Sequence, residues 1–240
     1  MTPERYLDAI ATDADRLITA ARQDLDAAVP SCPGWLVSDV VEHLAVVYLH
    51  KIACTELLQA PDPWPPEPPH DDPVAWLAAA RDELLTELRN RGPDAPSYTW
   101  YPPDQTVGFW YRRMAHETAI HRVDVEHAVG TRTPVERDLA LDGIDEVLTV
   151  MVAGDWSGDP QPGPERSLAL YAGEQSGSVQ LGPERVTVAA PAADPDAIRV
   201  SAEPSELLLW LWGRGAKSDV RTNDAEAAQA LRDRIALATQ

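Results

Sequence analysis

The stretch Arg112 to Asp124, Arg-Arg-Met-Ala-His-Glu-Thr-Ala-Ile-His-Arg-Val-Asp, constrains this chain more than any other. It reads as continuous helix, and it places Glu117 and His121 four residues apart. At about 3.6 residues per turn, that spacing leaves the two side chains roughly 40° apart around the axis and one turn from each other. A carboxylate and an imidazole held that way can grip one divalent metal, provided another element supplies a third ligand. A second helix candidate carries His43 among apolar neighbours and is the natural donor. Two nitrogens and one carboxylate leave a coordination position open, which is the pattern of a working metal rather than a structural one.

The same stretch superficially suggests a zinc protease, whose motif is His-Glu-x-x-His with histidines at i and i+4. Here His116 and His121 are five apart, or about 140° around the helix, and cannot face one metal from one regular helix. Glu117 is therefore better placed as a ligand than as a general base between two ligands.

With 240 residues the chain has ample material for a core, as one large domain or two smaller ones. A formal net charge of −19 disfavours partners that reward clustered Lys and Arg, so neither nucleic acid nor an anionic membrane is expected. No apolar run approaches the roughly 20 residues of a membrane span. The first ten residues hold Glu4, Arg5 and Asp8, unlike a signal peptide. Cys32 and Cys54 are too few for a disulfide framework, so a reduced, cytoplasmic protein is the expectation.

The first two thirds read as helices. Thr2 and Pro3 form a cap and first position, followed by a stripe of Tyr6, Ile10, Leu17, Ala21 and Leu25. Val29 to Trp35 is a turn-rich link, and a second helix spans about Ser38 to Gln59. Asp72-Pro73 opens a third, a fourth runs from about Thr106 to Val129 and stops at Gly130, and a fifth lies near Leu139 to Val152. Pro61 to Pro73 reads as a surface loop between helices rather than a polyproline ligand. Several amphipathic helices of this length suggest a bundle, whose interior commonly holds metals on facing helices. Gly154 to Pro164 has the texture of a linker. Beyond it, Ser167 to Tyr171, Ser178 to Leu181, Arg185 to Ala189 and Ala197 to Val200 read as strands. Ser205 then caps a short apolar helix, Glu206 to Trp212, and Asp224 to Ala238 is a last amphipathic helix. The fold expected is a helical bundle over residues 1–155 joined to a smaller α+β domain over residues 165–240.

Three separated motifs add up to a resemblance. Ser31-Cys32-Pro33-Gly34-Trp35 followed by Asp39 and His43 is similar to the N-terminal signature of the mycothiol-dependent maleylpyruvate isomerase family, Cys-Pro-Gly-Trp-Thr-Val-x-Asp-Leu-x-x-His. Arg113 to Asp124 resembles the family's second signature, and Ser205 to Arg214 resembles the motif of its C-terminal domain. The likeness implies a four-helix bundle of the DinB type and zinc, or another divalent metal, on His43, Glu117 and His121. It also implies the thiol mycothiol as cofactor or co-substrate. Two departures stand out: Leu36 replaces the usual Thr, so that Ser38 could start the second helix later, and Thr222-Asn223-Asp224 stands where Gly-Asp is common.

Other residues admit plainer readings. His50 lies two turns from His43, about 10 Å along the axis, and reads as structural; His116 points elsewhere. Asp124, one turn beyond His121, either orients a ligand imidazole or pairs with an arginine. Cys32 reads as a small buried residue rather than a nucleophile. Most tryptophans are core, while Trp35, Trp100 and Trp110 could wall a pocket. A free thiol, with a pKa of about 8.5, is only a few per cent thiolate at neutral pH, and a coordinating metal deprotonates it outright. The activity expected is thiol attack on a small electrophile, as an S-transferase or a cis–trans isomerase. Arg214 is the candidate catalytic residue, binding a substrate carboxylate; the alternative is an arginine that serves its own helix C-terminus. A hydrolase using metal-bound water and a non-catalytic, metal-stabilised binding or regulatory module are the other classes. The partners expected are small molecules, with the protein a monomer or homodimer.

Overall fold

The computed structural model describes residues 1–66, 72–153, 165–182, 186–189, 194, 196–215 and 219–238. The chain separates into two compact units, Met1–Thr133 and Pro134–Gln240. The linker expected at Gly154 to Pro164 lies outside the described residues, as do residues 67–71 of the proline-rich stretch. Among the described residues no helix is long and apolar enough to cross a membrane.

The first unit is four helices: α1 (Pro3–Ala21), α2 (Val37–Leu57), α3 (Pro73–Arg91) and α4 (Val107–Ala128). Thr2 caps α1 by accepting the Arg5 N–H, and Asp72 caps α3 by accepting the Ala75 N–H at 2.9 Å. The stripe running to Leu25 overshoots, because α1 ends at Ala21. Leu25 sits in the following loop, where its carbonyl takes up the Ser38 N–H, one of the orphan donors at the start of α2. That helix begins at Val37 rather than later. Asp39 accepts the Leu36 N–H at 2.7 Å, which is half a capping box, and a leucine has no acceptor to complete it. Past α4, Gly130 adopts φ +75°, so the Thr131 N–H reaches back to the Glu126 carbonyl at 2.7 Å.

α1 packs chiefly on α4 and α2 on α3, while α2 also meets α4. Ile10, Leu17, Leu44, Tyr48, Leu77, Leu84, Leu88, Trp110 and Met114 fill the core between them. Inside that core lies a charged cluster. Arg122 is fully buried and pairs with Asp13 of α1 at 3.3 Å and with Glu126 at 2.9 Å. It also donates to the Thr133 carbonyl and hydroxyl at 2.8 Å each. Arg16 of α1 reaches the other oxygen of Glu126 at 2.9 Å. Burial pushes the Asp13 carboxyl above its usual pKa, against the pull of Arg122 and Arg16.

The second unit holds α5 (Arg137–Glu146), which runs into a π-helical turn at Val147–Val152. Strands β1 (Arg166–Ala172), β2 (Gln175–Leu181), β3 (Val186–Ala189) and β4 (Ile198–Ala202) follow, then α6 (Pro204–Leu211), β5 (Arg221–Thr222) and α7 (Ala225–Ala238). Among the described residues they form one sheet of order β3-β2-β1-β4-β5, in which β1 and β4 run parallel and the other neighbours antiparallel. This is the expected α+β architecture, with two corrections. The expected boundary near residue 155 gives α5 to the bundle, whereas the chain divides at Thr133/Pro134 and α5 packs on α6. Ser205 is not the cap of α6, which starts at Pro204; its buried hydroxyl instead accepts the Val135 N–H at 2.9 Å. Asp224 does cap α7, accepting from Glu226 and Ala227.

Replacing Arg122 with Ala leaves the buried Asp13 and Glu126 with only the more exposed Arg16 as a cation, so it should destabilise the protein by about 3 kcal/mol in urea unfolding; a loss below about 1 kcal/mol contradicts a structural role for the cluster. Leu36→Thr completes the capping box and should add about 1 kcal/mol to stability in the same measurement.

Candidate metal centre

α2 presents His43 to the face of α4 that carries Glu117 and His121. Nε2 of each histidine lies 3.3 Å from Glu117 Oε1, and one donor atom from each of the three residues falls within 4.8 Å of the others. The imidazole rings meet edge to face with centroids 5.0 Å apart. A gap of that size between two nitrogens and an oxygen is what one divalent cation spans with ligand distances of about 2.0–2.2 Å. The site grades from closed to open: the side chains of His121, Glu117 and His43 are 9, 19 and 35% exposed.

The surrounding residues set each donor in place. Asp124, fully buried, accepts from His121 Nδ1 at 3.1 Å. That keeps a ring proton on Nδ1 and turns Nε2 toward Glu117, the carboxylate–histidine arrangement that orients metal-binding imidazoles. Asp124 thus makes the contact that the orienting reading requires. Its other oxygen, Oδ1, accepts from Ser31 Oγ at 2.5 Å, while the Cys32 thiol donates to Oδ2 at 3.8 Å. These two residues precede a tight turn: Pro33 and Gly34 (φ +88°) are its central residues, and the Trp35 N–H closes it on the Cys32 carbonyl at 2.9 Å. Pro then Gly is the pairing a type II turn demands. The turn also swings Trp35 against His43, ring centroids 5.2 Å apart, so Trp35 walls the site. Cys32 is therefore half-buried beside a carboxylate, an environment that does not favour a thiolate.

Glu117 is held from its far side by Arg113, one turn earlier, whose Nη2 is 2.5 Å from Oε2. Burial alone would raise the Glu117 pKa; Arg113 and the hydrogen bonds from His121 and His43 instead hold it well below the usual carboxylate range. For His121, burial opposes the charged form, but its bonds to Asp124 and Glu117 prevail and raise its pKa to about 9. Without a cation His121 is thus protonated at neutral pH, and a cation entering the site displaces that proton.

The remaining sequence candidates fall elsewhere. His50 lies outside the donor cluster, beside Lys51, Cys54 and Trp64. His116 is buried against Tyr6 of α1, away from α2. Trp100 packs on Tyr101 and Phe109, and Trp110 is core. Arg214 belongs to the second unit, just beyond α6, and its Nη1 donates to the Trp212 carbonyl at 2.8 Å. That is the contact expected of an arginine serving its own helix end. Sequence reasoning missed Arg113 and Ser31. The first had a usable signal, since Arg113 and Glu117 are four apart on one helix; the second had none.

A four-helix unit with this donor set, followed by an α+β unit, defines a helical-bundle protein with a candidate divalent-cation site. Residues 7–126 match the family model described as mycothiol maleylpyruvate isomerase N-terminal domain, and residues 138–232 match the MDMPI C-terminal domain. The chain belongs to the mycothiol-dependent maleylpyruvate isomerase family. Among solved structures it is similar to a mycothiol-dependent maleylpyruvate isomerase (15% identity, TM-score 0.56). It is likewise similar to a histidine-to-alanine mutant of such an isomerase (13% identity, TM-score 0.57). Each alignment covers 93% of both chains, and at these identities the likeness speaks for the fold. None of the curated proteins matches the chain.

Asp124→Asn removes the anionic acceptor that orients His121 and should weaken zinc binding about 10–100-fold in chelator competition. His121→Ala should abolish stoichiometric metal; equal metal content in wild type and His121→Ala contradicts the donor set.

Proposed function

We propose that this protein is a metal-dependent enzyme that sets mycothiol against a small electrophile, as an S-transferase or a maleylpyruvate-type cis–trans isomerase. The observation that carries the reading is the pre-oriented, half-open set of His43, Glu117 and His121 in a chain of this family. Zinc or another divalent cation bound there would supply the acidity that keeps a thiol as thiolate at neutral pH.

The chain's own residues do the rest. Asp124 keeps the proton of His121 on Nδ1, away from the reacting side. Arg113 ties down one oxygen of Glu117, so the carboxylate offers the other to the site. Trp35 shields the His43 side, and a less hydrated site strengthens the electrostatic interactions within it. In the isomerase version a thiolate adds to one carbon of a conjugated cis double bond, the new single bond rotates, and elimination returns the thiolate and the trans alkene. In the transferase version the adduct is protonated and kept. Arg214 is proposed to bind a substrate carboxylate through its guanidinium.

The test is turnover of maleylpyruvate and a panel of other electrophiles by protein prepared with and without zinc, with and without mycothiol. Turnover should require both metal and thiol. Arg214→Ala should lower kcat/KM for carboxylate-bearing substrates more than for neutral ones. Turnover that needs metal but no thiol overturns the proposal in favour of hydrolysis by activated water. Full zinc loading and thiol binding with no turnover of any electrophile favours a binding protein.

A further inference from the structure

Lys51 stands on α2 eight residues beyond His43, about 12 Å along the axis, and meets the residues of α4 that precede Glu117. Its ammonium lies 4.8 Å from the centre of the Trp110 ring and 3.2 Å from His50 Nδ1. Both partners are themselves fixed. Trp110 is fully buried and donates Nε1–H to Ser97 Oγ at 2.9 Å and to the Tyr98 carbonyl at 3.1 Å. His50 is set edge-on against Trp64, centroids 5.1 Å apart. Burial, with the adjacent ammonium, lowers its pKa to about 4, so its ring is neutral and Nδ1 accepts from Lys51.

A π face and a neutral imidazole orient an ammonium without neutralising it. Among the described residues no carboxylate is in ion-pair contact with Lys51. Glu117 is near enough to attract it, yet that carboxylate is committed to Arg113 and the two histidines. Burial accordingly holds the Lys51 pKa below its usual value. Lys51 is a half-buried ammonium set against a neutral ring and a neutral imidazole, in a chain of net charge −19. Burying a cation is costly unless an anion meets it.

We propose that Lys51, cradled by His50 and Trp110 just over two turns along α2 from His43, is a binding point for a carboxylate of the electrophilic substrate. The inference rests on the reading of His43, Glu117 and His121 as the reaction site, and it names Lys51 as the residue that meets the substrate's charge. Lys51 would hold the substrate's charge while the donor set serves the thiol.

Zinc-loaded protein titrated calorimetrically with maleate, with its neutral diamide maleamide, and with mycothiol alone tests this. Maleate should bind and maleamide should not. Lys51→Gln should weaken maleate binding about 30-fold, the low end for a buried charge pair. Its metal content and thiol affinity should be unchanged, and Lys51→Arg should retain most of the maleate affinity. On the wild-type protein, which needs no variant to fold, maleate but not maleamide should protect Lys51 from amine acylation read by mass spectrometry. No maleate binding, equal binding by wild type and Lys51→Gln, or no protection of Lys51 overturns the inference. A thiol carrying the anion instead would show as lost mycothiol affinity in Lys51→Gln, which also overturns it. Absence of turnover with every thiol and electrophile would sink the proposed enzyme activity yet leave maleate binding at Lys51 intact.

Discussion

The buried guanidinium of Arg122 is the constraint from which the first unit follows. A charge taken fully out of water is tolerable only where anions and carbonyls meet it, so Asp13, Glu126 and Thr133 must converge on one point of α4. That convergence brings α1 against α4 in one rotational setting. Adjacent residues on a helix point about 100° apart, so with Arg122 committed to α1, His121 is turned toward α2. Glu117 lies one turn earlier on that same side, and His43 arrives there from α2. An ion cluster that takes no part in the proposed chemistry thus sets the bearing of the donors that do.

The same economy governs the surroundings of the candidate centre. The Pro33-Gly34 turn delivers Ser31 to Asp124 and Trp35 to His43, while Asp124 in turn orients His121. A short loop and a buried carboxylate therefore act on one imidazole from one side, and Arg113 acts on Glu117 from another. Preorganisation of this kind lowers the reorganisation that binding a cation requires. It also places positive charge in a protein that is otherwise strongly acidic: Arg113 pairs with Glu117, and the same carboxylate attracts Lys51.

Much of this was legible in the sequence because it depends on spacing along one chain. The interval from Glu117 to His121 dictates a shared face, and the interval from His116 to His121 forbids one. Cap residues such as Thr2, Asp72 and Asp224 act within a turn of themselves, and so were readable. The misreadings arose where a residue's partner is remote. Ser205 looks like a cap but serves Val135, seventy positions away. The helix at Arg137–Glu146 has the same amphipathic texture as the bundle helices, so periodicity alone could not reveal that it packs on α6.

By itself the sequence determined the helices of the first unit, the strands that follow, the family, and which three side chains could hold a metal. Those properties are local, or are carried by motifs of fixed spacing, and backbone geometry reads them directly. Only the tertiary structure decided that His43 meets Glu117 and His121, that Asp124 accepts from His121 Nδ1, and that the ammonium of Lys51 rests on Trp110. The first and the last of these join residues of different helices. The angle at which two helices meet comes from packing and buried charge summed over the whole unit, which no single stretch of chain contains.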